Sequence, residues 1–476
     1  GGDLAARGVD VLLNPSASHF AFGKHEVRKR LVLEGSRAFG VAYVYANLLG
    51  NEAGRAIYDG GALIASLGEL RAAGPRFGFY DQHVTCATVD VDATRTSGAS
   101  RPRPFAAAEA AELVPVAFDF PPCDPSPVTV ETADWEQGPH TKEEEFTRAV
   151  ALGLHDYRRK SHSSGFVVSL SGGADSAATA ALVATAFQLA AEDPDHARDA
   201  IRAGLCTAYQ ATRQSSQATR DAARQVAEAL GAEHHEFEVD ALVDGYLALG
   251  EQALGRPLAW ETDDLALQNI QARSRAPSVW LLANVRRALL LATSNRSEAA
   301  VGYATMDGDT CGGLSPIAGI DKAFLLSWLG WMAEIGPEGL GPLPALSAVT
   351  ALPPTAELRP ADRDQTDESD LMPYPVLDAI ERAAVRDRLA PREAFARLRA
   401  DFPDRGPRTL GAWVVRFYRL FAINQWKRER YAPSFHLDDE NLDPKTWWRF
   451  PILSGGFARE LAALQAELDQ LPADPE

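Results

Sequence analysis

One segment of the chain reads Gly165-Phe166-Val167-Val168-Ser169-Leu170-Ser171-Gly172-Gly173-Ala174-Asp175-Ser176, and an apolar run over residues 177–191 follows it directly. Val167 and Val168 are typical of a buried parallel strand, and the two adjacent glycines allow backbone angles that other residues avoid. Ser176 opens a long helix that is rich in alanine and leucine. The segment therefore predicts a strand, a tight turn and a helix, with the free backbone N–H groups of the turn pointing outward.

Such a turn binds anionic oxygens, because its unpaired donors and the helix dipole both favour negative charge. Phosphate is the expected ligand. Asp175 would repel a bare phosphate, so we expect a divalent cation between its carboxylate and the phosphate oxygens. The segment has neither the lysine of a Walker A loop nor the spacing of a dinucleotide fold. The predicted ligand is a magnesium nucleotide; an ordinary Gly-rich turn in an α/β sheet is the alternative on the glycines alone.

The composition bounds the class of protein. The 476 residues are enough for two or three domains, and 47 basic against 65 acidic residues give a net charge of -18, which disfavours nucleic acid or an anionic membrane as the main partner. The cysteines form no C-x-x-C pair, so neither a disulfide framework nor a zinc site is suggested. No apolar run is long enough to span a bilayer and no signal peptide is evident, so we expect a cytoplasmic protein. The cysteines are Cys86, Cys123, Cys206 and Cys311.

The pattern along the chain predicts four parts, residues 1–98, 99–140, 141–400 and 401–476. In the first part strands are predicted over 9–13, 41–47, 62–66 and 85–91, with a helix over 24–39. This order predicts a layered α/β sheet. The dense prolines of the second part exclude a regular helix or central strand, apart from a short helical patch over 106–113, and predict a linker.

The third part continues the pattern of alternating strands and helices. Thr141 is predicted as the N-cap of a helix that runs to about Lys160. A second strand over 203–209 precedes a helix over 216–230, which ends at Gly231. The order β-α-β-α predicts a doubly wound parallel sheet whose ligand lies at the carboxyl ends of the strands.

Three polar clusters follow in the third part. Asn269 and Arg273 lie on one face of a predicted helix and could hold a phosphate-bearing substrate, although composition alone favours a solvated face. Glu298 begins a helix after a strand and could supply a second oxygen ligand to the cation. Asp309 lies on a turn, and Lys322 could neutralise charge that develops at the α-phosphate of a nucleotide. A lone Asp or Lys in a loop is usually solvated, so the prediction depends on the set.

In this order the motifs resemble those of the NAD synthetases. The resemblance implies ATP and Mg²⁺ as cofactors, with Asp175 and Glu298 as metal ligands and Asp309 and Lys322 near the reacting groups. The implied ATP-binding residues are Ser169, Leu170, Ser171, Gly172, Gly173, Ala174, Asp175, Ser176 and Thr293. The implied deamido-NAD-binding residues are Asn269, Glu298, Tyr303, Ala304, Thr305, Met306 and Lys427. The sequence departs from the family pattern at Gln268, Ser294 and 208–211, and the last of these puts the adenine contacts in doubt.

The first part resembles the second half of a carbon–nitrogen hydrolase (nitrilase-like) domain, and more narrowly the glutaminase domain of glutamine-dependent NAD synthetases. The resemblance lies in residues 13–24, 43–47 and 58–61. Ser18 and Lys24 match the glutamine-contacting residues of that family; a loop hydrogen bond and a surface charge are the alternatives. The family's catalytic Glu, Lys and Cys precede the first strand, and the chain begins Gly1-Gly2-Asp3. We therefore expect a fragment that uses ammonia rather than glutamine.

The last part resembles the same family in short elements over 353–360, 365–368 and 373–374, and around Lys427. The expected partners are deamido-NAD, ATP and ammonia or glutamine, with no nucleic acid or membrane, in a homo-oligomer formed through the synthetase domain. Two alternatives stay open. One is another pyrophosphate-loop adenylating enzyme, such as a GMP synthetase or a tRNA-thiolating protein, and the other is a non-catalytic remnant that only binds nucleotide or a partner.

Overall fold

The structure is a computed structural model that describes residues 1–99, 114–119, 124, 130, 132–352, 357–359, 368 and 371–474. The chain divides into two compact units, Gly1–Glu52 with Ala56–Gly153, and Ala53–Arg55 with Leu154–Glu476. The predicted helical patch over 106–113, Cys123 and most of the segment 353–368 lie outside the described residues. Within the described residues no helix has the length and apolar character needed to cross a membrane. The four-part division of the chain stays a prediction.

The first unit contains a mixed sheet and a short hairpin. Its strands are β1 (Val11–Ser16), β2 (Ala42–Asn47), β3 (Leu49–Asn51), β4 (Ile57–Asp59), β5 (Leu63–Ser66) and β6 (Glu69–Ala73). Strands β1, β2, β5 and β6 form one sheet in that order, with β1 and β2 parallel and the other pairs antiparallel. Its helices are α1 (Gly2–Ala6), α2 (Lys24–Phe39) and α3 (Val91–Ala99).

Helix α2 has the bounds that the sequence predicts, and it covers one face of this sheet. Val32 on the helix is buried in one cluster with Tyr43, Tyr45 and Leu63 of the strands. Gly40 ends the helix in the left-handed conformation, with φ 57°, which glycine adopts without the penalty that a Cβ brings.

The predicted strand over 85–91 is wrong. Residues 84–90 have no regular structure, and helix α3 begins at Val91. The carboxylate of Asp90 accepts the N–H of Ala93 at 2.9 Å, which is the bond that an N-cap residue makes. This capping side chain favours a helix start where the apolar alternation alone indicated a strand.

The second unit is organised around a parallel sheet. Its strands are β7 (Phe166–Ser169), β8 (Leu205–Ala211), β9 (Glu233–Glu238) and β10 (Leu289–Leu291), and they lie in the order β10-β7-β8-β9. Every pair in this sheet is parallel. The chain moves outward from β7 to β9 and then returns to the other side of β7, so β7 and β10 meet at a topological switch point. The predicted doubly wound parallel sheet is confirmed, and ligands bind such sheets outside the carboxyl ends of the strands at this point.

Helices surround the sheet and extend the second unit towards the C-terminus. They are α5 (Ala174–Ala190), α6 (Pro194–Gly204), α7 (Gln217–Leu230), α8 (Asp240–Leu254), α9 (Trp260–Arg286), α10 (Arg296–Val301), α11 (Lys322–Glu334), α12 (Ser347–Thr350), α13 (Tyr374–Glu381), α14 (Pro391–Asp401), α15 (Pro407–Ile423), α16 (Gln425–Arg428) and α17 (Ala458–Leu468). Helix α4 (Thr141–Lys160) begins in the first unit and ends in the second. One hydrophobic core joins α10 to α13, α14, α15 and α17, with Val301, Leu377, Phe395 and Phe417 among its buried residues. This core fixes the short helix α10 in place.

Two predicted caps have different outcomes. Ser216 caps α7 as predicted, since its hydroxyl accepts the N–H of Thr219 at 3.2 Å, and Gly231 ends that helix with φ 72°. Thr141 is not an N-cap, because it is already the first residue of α4. Its hydroxyl donates to the carbonyl oxygen of Gly138 at 2.8 Å, so the side chain bonds backward to the preceding turn.

Candidate active site

The turn between β7 and α5 requires glycine at one of its two glycine positions. Gly172 has φ +80°, and a Cβ added there would lie 2.1 Å from the carbonyl oxygen of Thr219. Gly173 has φ −90°, and the nearest atom to a Cβ added there is Ser171 Oγ at 3.4 Å. Position 172 therefore needs glycine for both backbone conformation and space, whereas position 173 does not.

The side chain of Ser176 closes the turn from inside. Its Oγ accepts the N–H of Ser171 at 3.1 Å and donates to the carbonyl oxygen of Gly173 at 3.1 Å, and the residue is buried. Helix α5 begins at Ala174. Because the first N–H groups of a helix have no partner inside it, the turn and the start of α5 together form a binding place for an anion.

Two carboxylates meet around one ammonium group beside this turn. Lys322 Nζ donates to Asp175 Oδ2 and lies 3.7 Å from Glu298 Oε1. Asp175 Oδ1 accepts the side-chain N–H of Asn295 at 2.9 Å. The side chain of Lys322 is only 3% exposed, so this is a largely desolvated cluster. The structure thus brings together the three charged residues that the sequence proposed for the metal and the reacting phosphate.

Helix caps place Glu298 and Lys322 in this cluster. Asn295 Oδ1 accepts the N–H of Glu298 at 2.9 Å, which caps α10. Asp321 Oδ1 accepts the N–H of Phe324 at 2.7 Å, which caps α11. Both charged side chains therefore leave the first turn of a capped helix, a position that local sequence specifies strongly.

A cavity of about 220 Å³ lies in front of the turn and the cluster. It is in the second unit, at the carboxyl ends of β7 and β10. Most of the predicted ATP and catalytic residues line its wall: Ser169, Ser171, Gly172, Gly173, Ala174, Asp175, Ser176, Thr293, Glu298, Tyr303, Asp309 and Lys322. Leu170 is buried behind them, and its N–H donates to the carbonyl oxygen of Ala208 at 2.8 Å.

The predicted deamido-NAD residues form the loop after α10 and its supports. Thr305 Oγ1 donates to Asn269 Oδ1 at 3.1 Å, and the N–H of Thr305 donates to Asp309 Oδ1 at 2.7 Å. Lys427 Nζ donates to the carbonyl oxygens of Gly302 and Ala304 at 2.6 and 2.8 Å. The Lys427 ammonium, which the family resemblance assigned to deamido-NAD, therefore holds the backbone of this loop.

Arg273 also supports the loop after α10. Its Nε donates to the carbonyl oxygen of Met306 at 2.9 Å, and Met306 itself is buried. Asn269 and Arg273 thus contact the same segment, as their shared helix face predicts.

Asp309 carries a carboxyl group with an altered acidity. It lines the cavity and is open to the solvent there, but the protein around the cavity hinders its hydration, which raises its pKa to about 6. The bond from the N–H of Thr305 acts in the opposite direction, because it stabilises the carboxylate. Burial also lowers the pKa of the nearby Lys427 ammonium.

Known proteins share both the sequence and the fold of this chain. Residues 146–402 match the NAD synthase family. The chain is 32% identical to a glutamine-dependent NAD(+) synthetase from Oryza sativa subsp. indica, over 92% of this chain and 64% of that protein. It is 30% identical to the protein of that name from Homo sapiens, over 93% of this chain and 68% of that protein.

A solved structure agrees with these relatives. It is a glutamine-dependent NAD(+) synthetase from Cytophaga hutchinsonii, 42% identical, with a TM-score of 0.77 over 97% of this chain and 71% of that chain. The chain belongs to the glutamine-dependent NAD(+) synthetase family. It spans about two thirds of the length of these relatives, 64% of the Oryza protein and 71% of the Cytophaga chain.

The main departure from the NAD synthetase motif lies on the cavity wall. Tyr209 and Gln210, in the segment 208–211 that departs from the family pattern, both line the cavity. Tyr209 Oη lies 3.0 Å from Thr219 Oγ1, and Ser169 Oγ donates to Gln210 Oε1 at 2.8 Å. The segment 208–211 is thus hydrogen-bonded to the end of β7, directly before the glycine turn, and to the first turn of α7.

Two charged residues of the cavity lie in segments that resemble the family, but the sequence assigned them no role. Arg275 lines it from α9 together with Ala272, Ala276 and Val279, and Glu357 lines it from a short segment before residue 360. Glu357 Oε2 accepts bonds at the start of α7, from Thr219 Oγ1 at 2.9 Å and from the N–H of Ser216 at 3.2 Å. The spacing of three small or apolar residues around Arg275 was a signal that this face points inward.

The predicted glutamine-binding residues lie in the first unit. Ser18 Oγ accepts Arg28 Nε at 3.1 Å, and Arg28 is held by a buried ion pair with Asp59 at 2.6 Å. Lys24 Nζ lies 3.1 Å from His19 Nε2. The hydroxyl of Ser18 therefore takes part in an internal hydrogen-bond network.

Proposed function

We propose that this chain is an ATP-dependent NAD synthetase that converts deamido-NAD to NAD and releases AMP and pyrophosphate. One cavity carries the proposal. It is lined by the glycine turn, the carboxylates of Asp175 and Glu298, and the ammonium of Lys322. Its position at the switch point of a parallel sheet suits a nucleotide, and membership of the NAD synthetase family supports the substrate. Tyr303, at the start of the loop of 303–306, lines the same cavity, so this loop suits deamido-NAD, the second nucleotide substrate.

The proposed reaction has two displacement steps. A nicotinate carboxylate oxygen of deamido-NAD attacks the α-phosphorus of ATP, the bond to the β-phosphate breaks, and pyrophosphate leaves. Ammonia then attacks the acyl carbon of the adenylate, AMP leaves with the bonding electrons, and the new amide loses a proton. The N–H groups of the glycine turn hold phosphate oxygens, and Lys322 neutralises charge on the reacting phosphate. Positioning and preorganised charge supply most of such a rate enhancement.

Magnesium fits the residues that the sequence assigned to it. Asp175 and Glu298 approach one ammonium group, so this part of the cavity suits a cation, and Mg²⁺ commonly binds one or two carboxylates together with substrate phosphates. We propose that these two carboxylates hold the ion. When bound, Mg²⁺ neutralises charge on the phosphate oxygens of the nucleotide.

The direct test supplies deamido-NAD, Mg-ATP and ammonium and measures NAD and pyrophosphate. The two products are expected in equal amounts, and the K322M variant is expected to lose most of this activity. Folded protein that binds Mg-ATP but yields no NAD would reject the proposal and favour a nucleotide-binding remnant. Pyrophosphate release with xanthosine monophosphate in place of deamido-NAD would instead favour a GMP synthetase.

The nitrogen donor of this chain stays a prediction, namely ammonia without glutamine. The same assay tests it when glutamine replaces ammonium. NAD formed from glutamine at a rate comparable to that with ammonium would contradict it.

We also propose that the second unit forms a homo-oligomer. Helices α8 and α9 pack against each other and expose large apolar side chains: Leu242, Tyr246, Leu249, Leu254, Leu265, Trp280, Leu281 and Val285. Exposed apolar residues that cluster on neighbouring helices mark an interaction surface.

A further inference from the structure

Arg275 is a cation on the cavity wall whose charge is not matched by an ion pair within the described part of the chain. Arg275 lies on the same face of α9 as Ala272, three positions before it, and Val279, four positions after it. Both residues line the cavity with Arg275, as does the adjacent Ala276. Its Nε is shielded from solvent and has no hydrogen-bond partner among the described residues. The acidic groups Asp309 and Glu357 act on its charge from nearby, but neither reaches hydrogen-bond distance of its side chain in the described structure.

This arrangement leaves free energy for a ligand to recover. A guanidinium stays protonated in proteins, and burying it without a partner costs free energy. Burial lowers the pKa of Arg275, as desolvation does for any cation. An anion that enters the cavity would regain the lost hydrogen bonds, and guanidinium bonds to phosphate are among the strong ones.

The neighbours of Arg275 connect it to the phosphate turn. Tyr209 interacts electrostatically with Arg275. The Oη of Tyr209 lies 3.0 Å from the Oγ1 of Thr219. The carbonyl oxygen of Thr219 in turn lies against Gly172, where it would obstruct a Cβ. Lys322 is paired with Asp175 and Glu298 on the other flank of the turn. A triphosphate on the turn would therefore occupy a cavity whose wall carries both Lys322 and Arg275.

We propose that Arg275 binds a phosphate oxygen of the nucleotide triphosphate held by the glycine turn. This inference rests on the proposed function for the identity of the nucleotide, and it adds a nucleotide-contacting residue. Lys322 is committed to two carboxylates, whereas Arg275 has hydrogen bonds to give. The fork of its N–H groups suits a phosphate better than a point charge would.

Calorimetric titration of the full chain with Mg-ATP and with adenosine tests the proposal. R275M is expected to raise the Kd for Mg-ATP on the order of 10- to 100-fold, as the loss of hydrogen bonds to a charged group does. Its Kd for adenosine should stay within about twofold of the parent value, because adenosine has no phosphate, and R275K should fall between the two for Mg-ATP. R202M on the exposed face of α6 is the control and should bind Mg-ATP as the parent chain does.

Several outcomes would overturn the proposal. Unchanged binding of Mg-ATP by R275M would do so, as would an equal loss of ATP and adenosine binding, which would assign Arg275 to the nucleoside. Thermal unfolding of R275M and R275K excludes misfolding, and R275K keeps the test valid if R275M does not fold. A parent chain that binds Mg-ATP but makes no NAD rejects the proposed function alone, so the two failures are distinguishable.

Discussion

Gly172 and Gly173 are adjacent, yet the structure makes different demands on them. Gly172 has a positive φ and no space for a Cβ beside Thr219, whereas Gly173 has an ordinary φ and a nearest neighbour at 3.4 Å. A sequence motif treats the two glycines as equivalent. The backbone shows that one of them determines the shape of the turn.

We expect G172A to disrupt the phosphate turn and G173A to preserve it. Alanine at position 172 would need both a strained backbone, which costs about 1 to 3 kcal/mol, and a movement of Thr219. Urea unfolding and Mg-ATP titration of both variants measure the effect, with at least tenfold weaker binding expected for G172A alone. If both variants bound Mg-ATP as the parent chain does, the turn would not hold the phosphates.

Asp309 should give the adenylation step its dependence on pH in the acidic range. The protein around the cavity hinders hydration of this carboxyl and raises its pKa to about 6, so it is mostly protonated below that pH and mostly a carboxylate above it. Only the carboxylate can both accept the N–H of Thr305 and keep an opposite charge near Lys427. Exchange of labelled pyrophosphate into ATP in the presence of deamido-NAD measures this step without ammonia. The exchange rate should rise as the pH rises, with an apparent pKa near 6.

In the D309N variant the exchange rate should no longer rise with pH near 6; this rise is the acidic limb of the pH profile. Asp307 offers a matched control two positions away, since Asp309 lines the cavity whereas Asp307 does not and lies 3.2 Å from Arg430. D307N is expected to keep the limb. A limb near pH 6 that persists in D309N would assign it to another group.

At the scale of elements, the start of α10 combines stability with site geometry. The Asn295 side chain accepts the N–H of Glu298 and donates to Asp175, so one amide caps the helix and connects both proposed metal ligands. The cap of α6 has only the first role. Asp193 caps α6 by accepting the N–H groups of Asp195 and His196, on a surface away from the cavity.

We expect N295A and D193A to lower stability by similar amounts but to differ in activity. Loss of either cap costs about 1 kcal/mol, which thermal or urea unfolding measures. N295A should in addition raise the Mg²⁺ concentration needed for half-maximal pyrophosphate exchange, because Asp175 loses its partner and Glu298 its fixed position. A Mg²⁺ dependence in N295A equal to that in D193A would show that Asn295 acts only as a cap.

Elements with a strong local signal could be predicted from the sequence. Helix α2, the cap and end of α7, and the strand, turn and helix around the glycines follow from periodicity, caps and glycine positions. The strand predicted over 85–91 failed because the capping carboxylate of Asp90 outweighs a short apolar alternation. Local patterns of this length do not decide between helix and strand.

The site required tertiary information. The pattern of α9 shows that Asn269 and Arg273 share a face, but only packing against the sheet shows that Arg275 points into the cavity. The pairing of Lys322 with Asp175 joins residues 147 positions apart, and no local rule predicts such a distance in sequence. Family motifs identified both residues, while their contact comes from the sheet topology.

At the scale of the whole molecule, the negative net charge of the chain is compatible with the binding of a negatively charged triphosphate. The net charge is -18, which opposes the approach of a triphosphate at long range. The cavity itself contains Lys322 and Arg275 among its lining residues. Binding of the proposed nucleotide must therefore depend on short-range groups in the cavity, because the long-range field of the chain works against it.

The exposed apolar face of α8 and α9 gives a prediction about assembly. Leu281 and Val285 are 64% and 75% exposed on α9, four positions apart, and Leu249 on α8 is 64% exposed. Burying them in an interface would remove apolar area from water, so charges there should dissociate the oligomer. We expect the L281E/V285E double variant to be monomeric by light scattering at concentrations where the parent chain is not. L453E, at a side chain 94% exposed outside both helices, should keep the parent's mass, and a monomeric parent chain would refute the prediction.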